Sequence, residues 1–552
     1  MTTPLDAANE TAKSDVAAPA DGAILNETAG NGVKTGIKNG EIIKIDEKFF
    51  TSRKGPFPDV RGMRRTKPEY ADHYHSIENW EGIRRWKTED ELKQVRAQYY
   101  GDDQQERRYL WLPALDHHRK LSGAIVSEAM TPDEKYDVLD DFRRFYHSAR
   151  KHISGELHGD NIIEAFDALF IGLMFGRHVY IEGSSGIGKT DVARRLCSIL
   201  SLPYQQYDAY ADATDLSLLG GEVPVTENGV IRFTFERGPC LTPGLLGLVI
   251  DELPRLPAST SNVLLQAMAE RKVNVSLVAS GRGSATVLLS PHFIVIGTGN
   301  PVGYGGQGER SFALFDRFDI GIEMKHPDIE ARREIMYQEG KPTPSKEFDV
   351  EPSFTLNGIN ALVREVSFST LFVPIMVTAA HALGPRDFLA RTNTENPADL
   401  TNGKPAGPSG GERVMWEAAR LFARKHKNEV GKLSQMVEEN LTEGSNPRGE
   451  ISVIQNAKAL SLVAHQAVGG WKTPEVYLSD LGRAYHWANY ARLKTYPGAE
   501  GKRGALLDMA RDLFFNAEKW LSVVSDLEPS SDRSTAIDEL TRLGMRPKNA
   551  AD

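Results

Sequence analysis

The stretch from His178 to Thr190 constrains the fold more than any other. Val179-Tyr180-Ile181 is a short apolar run of strand character. It leads into Gly183-Ser184-Ser185-Gly186-Ile187-Gly188-Lys189-Thr190, a full match to G-x-x-x-x-G-K-[ST]. From Asp191 onward, Val192, Leu196, Ile199 and Leu200 recur at helical spacing. Strand, glycine-rich loop and helix in that order make a phosphate cradle. The glycines let backbone N–H groups curl around phosphate oxygens, and the helix N-terminus adds partial positive charge. Residues 183–191 are therefore the candidate nucleotide-binding segment, with Lys189 reaching the β- and γ-phosphates and Thr190 placing its hydroxyl on Mg²⁺. A glycine-rich turn with a chance lysine would lack this flanking strand and helix.

Bulk properties exclude several classes. A chain of 552 residues has room for two to four domains. Its net charge of −9 argues against a general nucleic-acid binder, though it leaves room for a local basic patch. Two cysteines, Cys197 and Cys240, are too few for a disulfide framework or a cysteine-rich zinc site, and suit a reducing compartment. The N-terminal residues lack the apolar core of a signal peptide. The most apolar window, 162–181, holds Glu164, Asp167, Arg177 and His178, too many charges for a membrane span. A cytoplasmic location is the expectation.

Composition divides the chain further. Residues 1–45 are poor in large apolar groups and read as a disordered tail. Residues 46–128 mix aromatic and basic side chains and read as an accessory region, a small domain or a strap. His73, His75, His117 and His118 lie there without metal-ligand spacing. Residues 129–330 carry the α/β pattern. Thr131 caps a helix that starts at Pro132, and a second helix over about 161–175 delivers the chain to the phosphate loop. Four further strands are expected at 204–208, 245–252, 292–297 and 319–324, separated by helical patterns. The sheet is thus largely parallel, five-stranded and covered on both faces. Two hairpins are inserted, one turning at Asn228-Gly229 and one around 280–283. Residues 331–481 are helical with a flexible polar insert near 392–411, and 482–552 form a C-terminal helical extension.

Four further motifs carry chemistry. Leu248-Val249-Ile250 ends in Asp251-Glu252, so Asp251 is placed to hold Mg²⁺ and Glu252 to orient and deprotonate water; solvated carboxylates at a strand end would be the reading in a chain without the phosphate loop upstream. Asn300, at the tip of the fourth strand, either contacts the γ-phosphate and lytic water or is a turn asparagine. Arg317, in Phe315-Asp316-Arg317-Phe318, either stabilises charge on the transferred phosphoryl group or pairs with Asp316. Arg448, in Asn446-Pro447-Arg448, either touches nucleotide from a lid or simply opens a helix.

Together these residues resemble an AAA+ ATPase, and more narrowly the MoxR branch. The likeness is carried by DATDLSLLGGEVPV, by Phe235-Glu236-Arg237-Gly238-Pro239, and by DELPRLPASTSNVLLQAMAERKVNV. It spans about 158–330, and more weakly runs on to about 481. The resemblance implies a P-loop core with an α-helical lid, ATP and Mg²⁺ as ligands, and a homo-oligomeric ring, usually a hexamer. It implies that Lys189 and Thr190 form Walker A, Asp251 and Glu252 Walker B, Asn300 sensor 1, Arg317 the arginine finger and Arg448 sensor 2. It further implies chaperone-like remodelling of a protein, often with a von Willebrand factor A domain partner. The chain departs from the family at three points. Ser184-Ser185 replaces a common proline, Pro254 stands where asparagine usually precedes Arg255, and Phe312 replaces a glutamate, which makes Arg310 a second candidate finger.

Two other readings stand beside the ATP-hydrolysing remodelling ring. One is a nucleic-acid-associated motor or restriction-type NTPase, which the acidic charge disfavours. The other is a P-loop kinase or non-hydrolysing scaffold, which needs neither Glu252 nor a trans-acting arginine.

Overall fold

The computed structural model describes residues 131–544 except 158, 201, 228–229, 243–244, 280–282, 290–292, 302–310, 340–347, 349–353, 355, 385–409 and 465–471. It also describes three strands nearer the N-terminus. Those strands, Ile24–Glu27, Val33–Lys38 and Glu41–Asp46, pair antiparallel in sequence order, where the composition suggested a structureless tail. The accessory region expected over 47–128, Arg310, and residues 392–409 of the polar insert lie outside the described residues.

The central sheet has five parallel strands: β1 (Val179–Gly183), β2 (Tyr204–Asp208), β3 (Gly247–Asp251), β4 (Ile294–Gly299) and β5 (Ile320–Met324). They lie in the order β5-β1-β4-β3-β2. Each inner strand is a nearly unbroken apolar run, and its period of two feeds two cores. Val179, Ile181, Val249, Ile294 and Ile296 point to one face, where the helices Pro132–Glu156, Asp160–Phe175 and Lys189–Ile199 cover them. Tyr180, Leu248, Ile250 and Val295 point to the other, under the helix Ala258–Glu270. The two expected hairpins are present, as Gly220–Glu227 with Val230–Arg237 and as Lys272–Leu277 with Gly283–Leu288.

Helix starts follow their local signals. Thr131 accepts from the Glu134 N–H while the Glu134 carboxylate accepts from the Thr131 N–H, a reciprocal cap ahead of Pro132. Beyond the core the chain is mainly helical, and its apolar side chains continue the first core cluster without a break, through Leu362, Phe372, Phe422, Leu460, Trp487 and Trp520. The boundary expected at 481/482 falls inside one helix, Leu478–Tyr490, which lies against β5. Arg483 and Trp487 of that helix donate to Glu164 on the helix before β1, and Arg483 also to Asp167. Within the C-terminal extension two helices, Arg503–Phe514 and Ala517–Ser525, are separated where Asn516 caps the second.

Candidate nucleotide site

Strand order assembles the site. Because β4 lies between β1 and β3, its tip reaches the carboxyl edge of the sheet with the phosphate loop on one side and Asp251-Glu252 on the other. That edge is where ligands of open α/β sheets bind. Gly186 (φ +78°) and Gly188 (φ +90°) supply the left-handed backbone that curls the loop, and Gly188 caps the helix Lys189–Ile199. Ser185 and Gly186 are exposed, whereas Ser184, Ile187 and Gly188 are half-buried.

The structure brings Lys189, Thr190, Asp251, Glu252 and Asn300 together. Lys189 Nζ donates to the carbonyls of Gly183 and Ser184, each at 2.8 Å, and to Asn300 Oδ1 at 3.0 Å. Burial pulls the Lys189 ammonium below its ordinary range, against the opposing pull of Glu252, Asp251 and Glu182. Asn300 Nδ2 in turn donates to Glu252 Oε1 at 2.6 Å. Asn300 is therefore no free turn residue: it is buried and links the loop lysine to the Glu252 carboxylate.

Asp251 Oδ1 accepts from Thr190 Oγ1 at 3.0 Å and from the Glu252 N–H at 3.1 Å, and Thr298 Oγ1 donates to the same oxygen. Thr298 was not foreseen from sequence, although its position two residues before Asn300 puts it on the same side of the strand. The two oxygens of Thr190 and Asp251 suit a hard cation such as Mg²⁺, which takes one or two protein oxygens and completes its shell with phosphate and water. Among the described residues no group of three or more His, Cys, Asp or Glu side chains could hold a metal unaided. Asp191 faces elsewhere. Its carboxylate accepts from Arg194 and Arg195 on its own helix, and these bonds outweigh burial to hold it below the usual carboxylate range.

Arg317 and Arg448 do not join this group. In the parallel register Val179 lies beside Ile320 and Gly183 beside Met324. Arg317, three residues before Ile320, therefore sits at the amino edge of the sheet, about 13 Å of strand from the phosphate loop's edge. Its Nε is buried without a hydrogen-bond partner among the described residues. Asp316 is engaged from beyond the core, by Arg448 Nη1 at 2.6 Å, Asn446 Nδ2 at 2.7 Å and Arg492 Nε at 3.5 Å. Arg448 does lie in the first turn of a helix, Pro447–Ala464, but it faces the amino edge and not its own chain's loop. Both cysteines are buried, and burial pushes each thiol up to about 12, so neither is poised to react.

Comparison with known proteins agrees with this geometry. Residues 178–320 match the ATPase family associated with various cellular activities (AAA). Chaperone MoxR1 of Mycobacterium tuberculosis is 28% identical over 185 residues, covering 34% of this chain and 45% of MoxR1. Gas vesicle ATPase GvpN1 of Halobacterium salinarum is 30% identical over 178 residues, covering 29% of this chain and 50% of that protein. The chain thus spans about half the length of these relatives. A crystal structure from Cytophaga hutchinsonii aligns with 18% identity and a TM-score of 0.48, covering 68% of this chain and 96% of that one. Among the described residues no helix is long and apolar enough to cross a membrane. The matched stretch is the one that carries Lys189, Asp251, Glu252 and Asn300, so the likeness to AAA ATPases and to MoxR1 falls on the nucleotide site itself.

Proposed function

We propose that this protein binds ATP with Mg²⁺ in the loop 183–190 and hydrolyses it to ADP and phosphate. The observation that carries the reading is the continuous link Lys189–Asn300–Glu252 beside the Thr190–Asp251 pair. An incoming triphosphate would replace the loop carbonyls as acceptors for Lys189, and Thr190 and Asp251 would hold the cation. A cation held there would supply positive charge against the negative charge of the phosphate oxygens. Glu252 would take a proton from water as the water oxygen bonds to the γ-phosphorus and the bond to the ADP oxygen breaks. Asn300 would hold that carboxylate in place and, through its link to Lys189, sense the γ-phosphate.

The amino-edge position of Arg317 and Arg448 supports a ring of copies, in which these arginines serve the nucleotide of a neighbour. Their distance from their own loop supports the trans assignment, and hexameric closure would follow the family habit. We extend the reading to chaperone-like remodelling of a protein partner, in keeping with the name of MoxR1, with a von Willebrand factor A domain protein as the expected companion.

The test is capture with the Glu252→Gln variant under ATP and Mg²⁺, with Lys189→Ala as control, read by mass spectrometry. A specific protein retained by the ATP-locked form alone supports the remodelling role. Nucleic acid in that fraction overturns it in favour of a nucleic-acid motor. Gel filtration with and without ATP tests the ring directly.

A further inference from the structure

One motif is left without a role by that account, the turn Leu253-Pro254-Arg255 that follows Glu252. It is a single 3-10 turn, closed by the Arg255 N–H donating to the Glu252 carbonyl at 2.8 Å. Glu252 itself enters it with φ +54°, a left-handed backbone that a side-chain-bearing residue seldom adopts. The turn is clamped to β4. Leu253 and Pro254 are buried against Gly297 and Gly299, where a Cβ would come within 2.7 Å of Leu253 Cδ2 and 2.8 Å of the Pro254 ring. The proline that departs from the family pattern thus packs beneath the residue next to Asn300. Clamping the turn in this way returns the Arg255 side chain to the Glu252 carboxylate, Nε lying 3.6 Å from Oε2.

The two oxygens of Glu252 are treated differently. Oε1 is fixed by the Asn300 amide, whereas Oε2 is buried, has no hydrogen-bond partner among the described residues and faces the Arg255 guanidinium. We propose that Arg255 is a positioning residue for hydrolysis in its own subunit. It holds the carboxylate electrostatically from the side away from Asn300, keeping Oε2 oriented without taking up its lone pairs in a hydrogen bond. This inference rests on the assignment of Glu252 as the base.

The experiment uses the full chain as wild type, Arg255→Ala, Arg255→Lys and Glu252→Gln, with steady-state kcat and KM for ATP, equilibrium ATP affinity and melting temperature. Arg255→Ala is expected to lower kcat by about 10- to 100-fold, as misplacement of a reacting group does. KM, affinity and melting temperature should stay within about the wild-type range, and Arg255→Lys should recover part of the loss. Mixing Arg255→Ala with Glu252→Gln should give no more activity than the two give separately. Near-normal kcat for Arg255→Ala beside an inactive Glu252→Gln would overturn the role of Arg255 and leave that of Glu252 standing. Recovery in the mixture would overturn the same-subunit assignment. Full turnover by Glu252→Gln would overturn the underlying site reading.

Discussion

Arg448 donates to Asp316 at 2.6 Å, joining the start of the helix Pro447–Ala464 to the residue just before Arg317. Asp316 is committed to residues from beyond the core, being engaged also by Asn446 and Arg492. The contact also ties the lid arginine to the amino edge of the sheet. Both arginines therefore lie at one edge, opposite the edge that carries the chain's own phosphate loop.

If they act on a neighbour, Arg317→Ala will keep ATP affinity near wild type and lose about 10³-fold or more in turnover. Adding Lys189→Ala subunits, which are silent alone but supply an intact Arg317, will restore part of the activity. Phosphate release in titrated mixtures checks this; strictly additive activity would count against the trans assignment.

The Glu182–Arg503 pair is buried on both sides, at 2.6 Å, and binds a C-terminal helix to the last residue before Gly183. The Arg503 guanidinium also lies over the Tyr490 ring at 5.1 Å. Arg503→Met removes the guanidinium from a buried ion pair, and we expect a loss of about 3–5 kcal/mol in stability. Adding Glu182→Gln should return part of that loss. Denaturant midpoints of the single and double variants decide the matter.

His178 gives a pH prediction. Its Nδ1 accepts from the Val295 N–H at 2.9 Å, and full burial, helped by the charge of Arg271, pushes its pKa down to about 3. The unfolded chain takes up that proton near the ordinary value of about 6.5. Between these limits the unfolded state binds more protons, so stability present above about pH 6.5 is lost as pH falls towards 3, by at most about 1.4 kcal/mol per pH unit from this group. His178→Gln, whose side-chain oxygen can accept from Val295, should flatten that part of the slope. Chemical unfolding at several pH values measures it.

Those last two features mark the limit of what could be read from sequence. The phosphate loop, Asp251-Glu252 and Asn300 were legible because each sits at the end of its own apolar strand, where function is written in consecutive residues. The capped start at Thr131 and the hairpin around Asn228-Gly229 were legible for the same reason. Asn39-Gly40 is an equal signal for the strands at 33–46, but the low apolar content around it points to disorder. Strand order was not legible, and without it the link from Lys189 through Asn300 to Glu252 could not be foreseen. Glu182 and Arg503 are 321 positions apart, and no local pattern joins them. Arg448 was assigned to a lid by its motif, yet only the packing of its helix decides which edge it meets.

The most direct test of the central claim is ATP binding and phosphate release measured on the same samples of wild type, Lys189→Ala and Glu252→Gln. The account predicts that wild type turns over ATP and that Lys189→Ala fails to bind it. Glu252→Gln should bind normally while losing about 10²-fold or more of the rate. Unchanged affinity in Lys189→Ala, or near-normal release by Glu252→Gln, would contradict it.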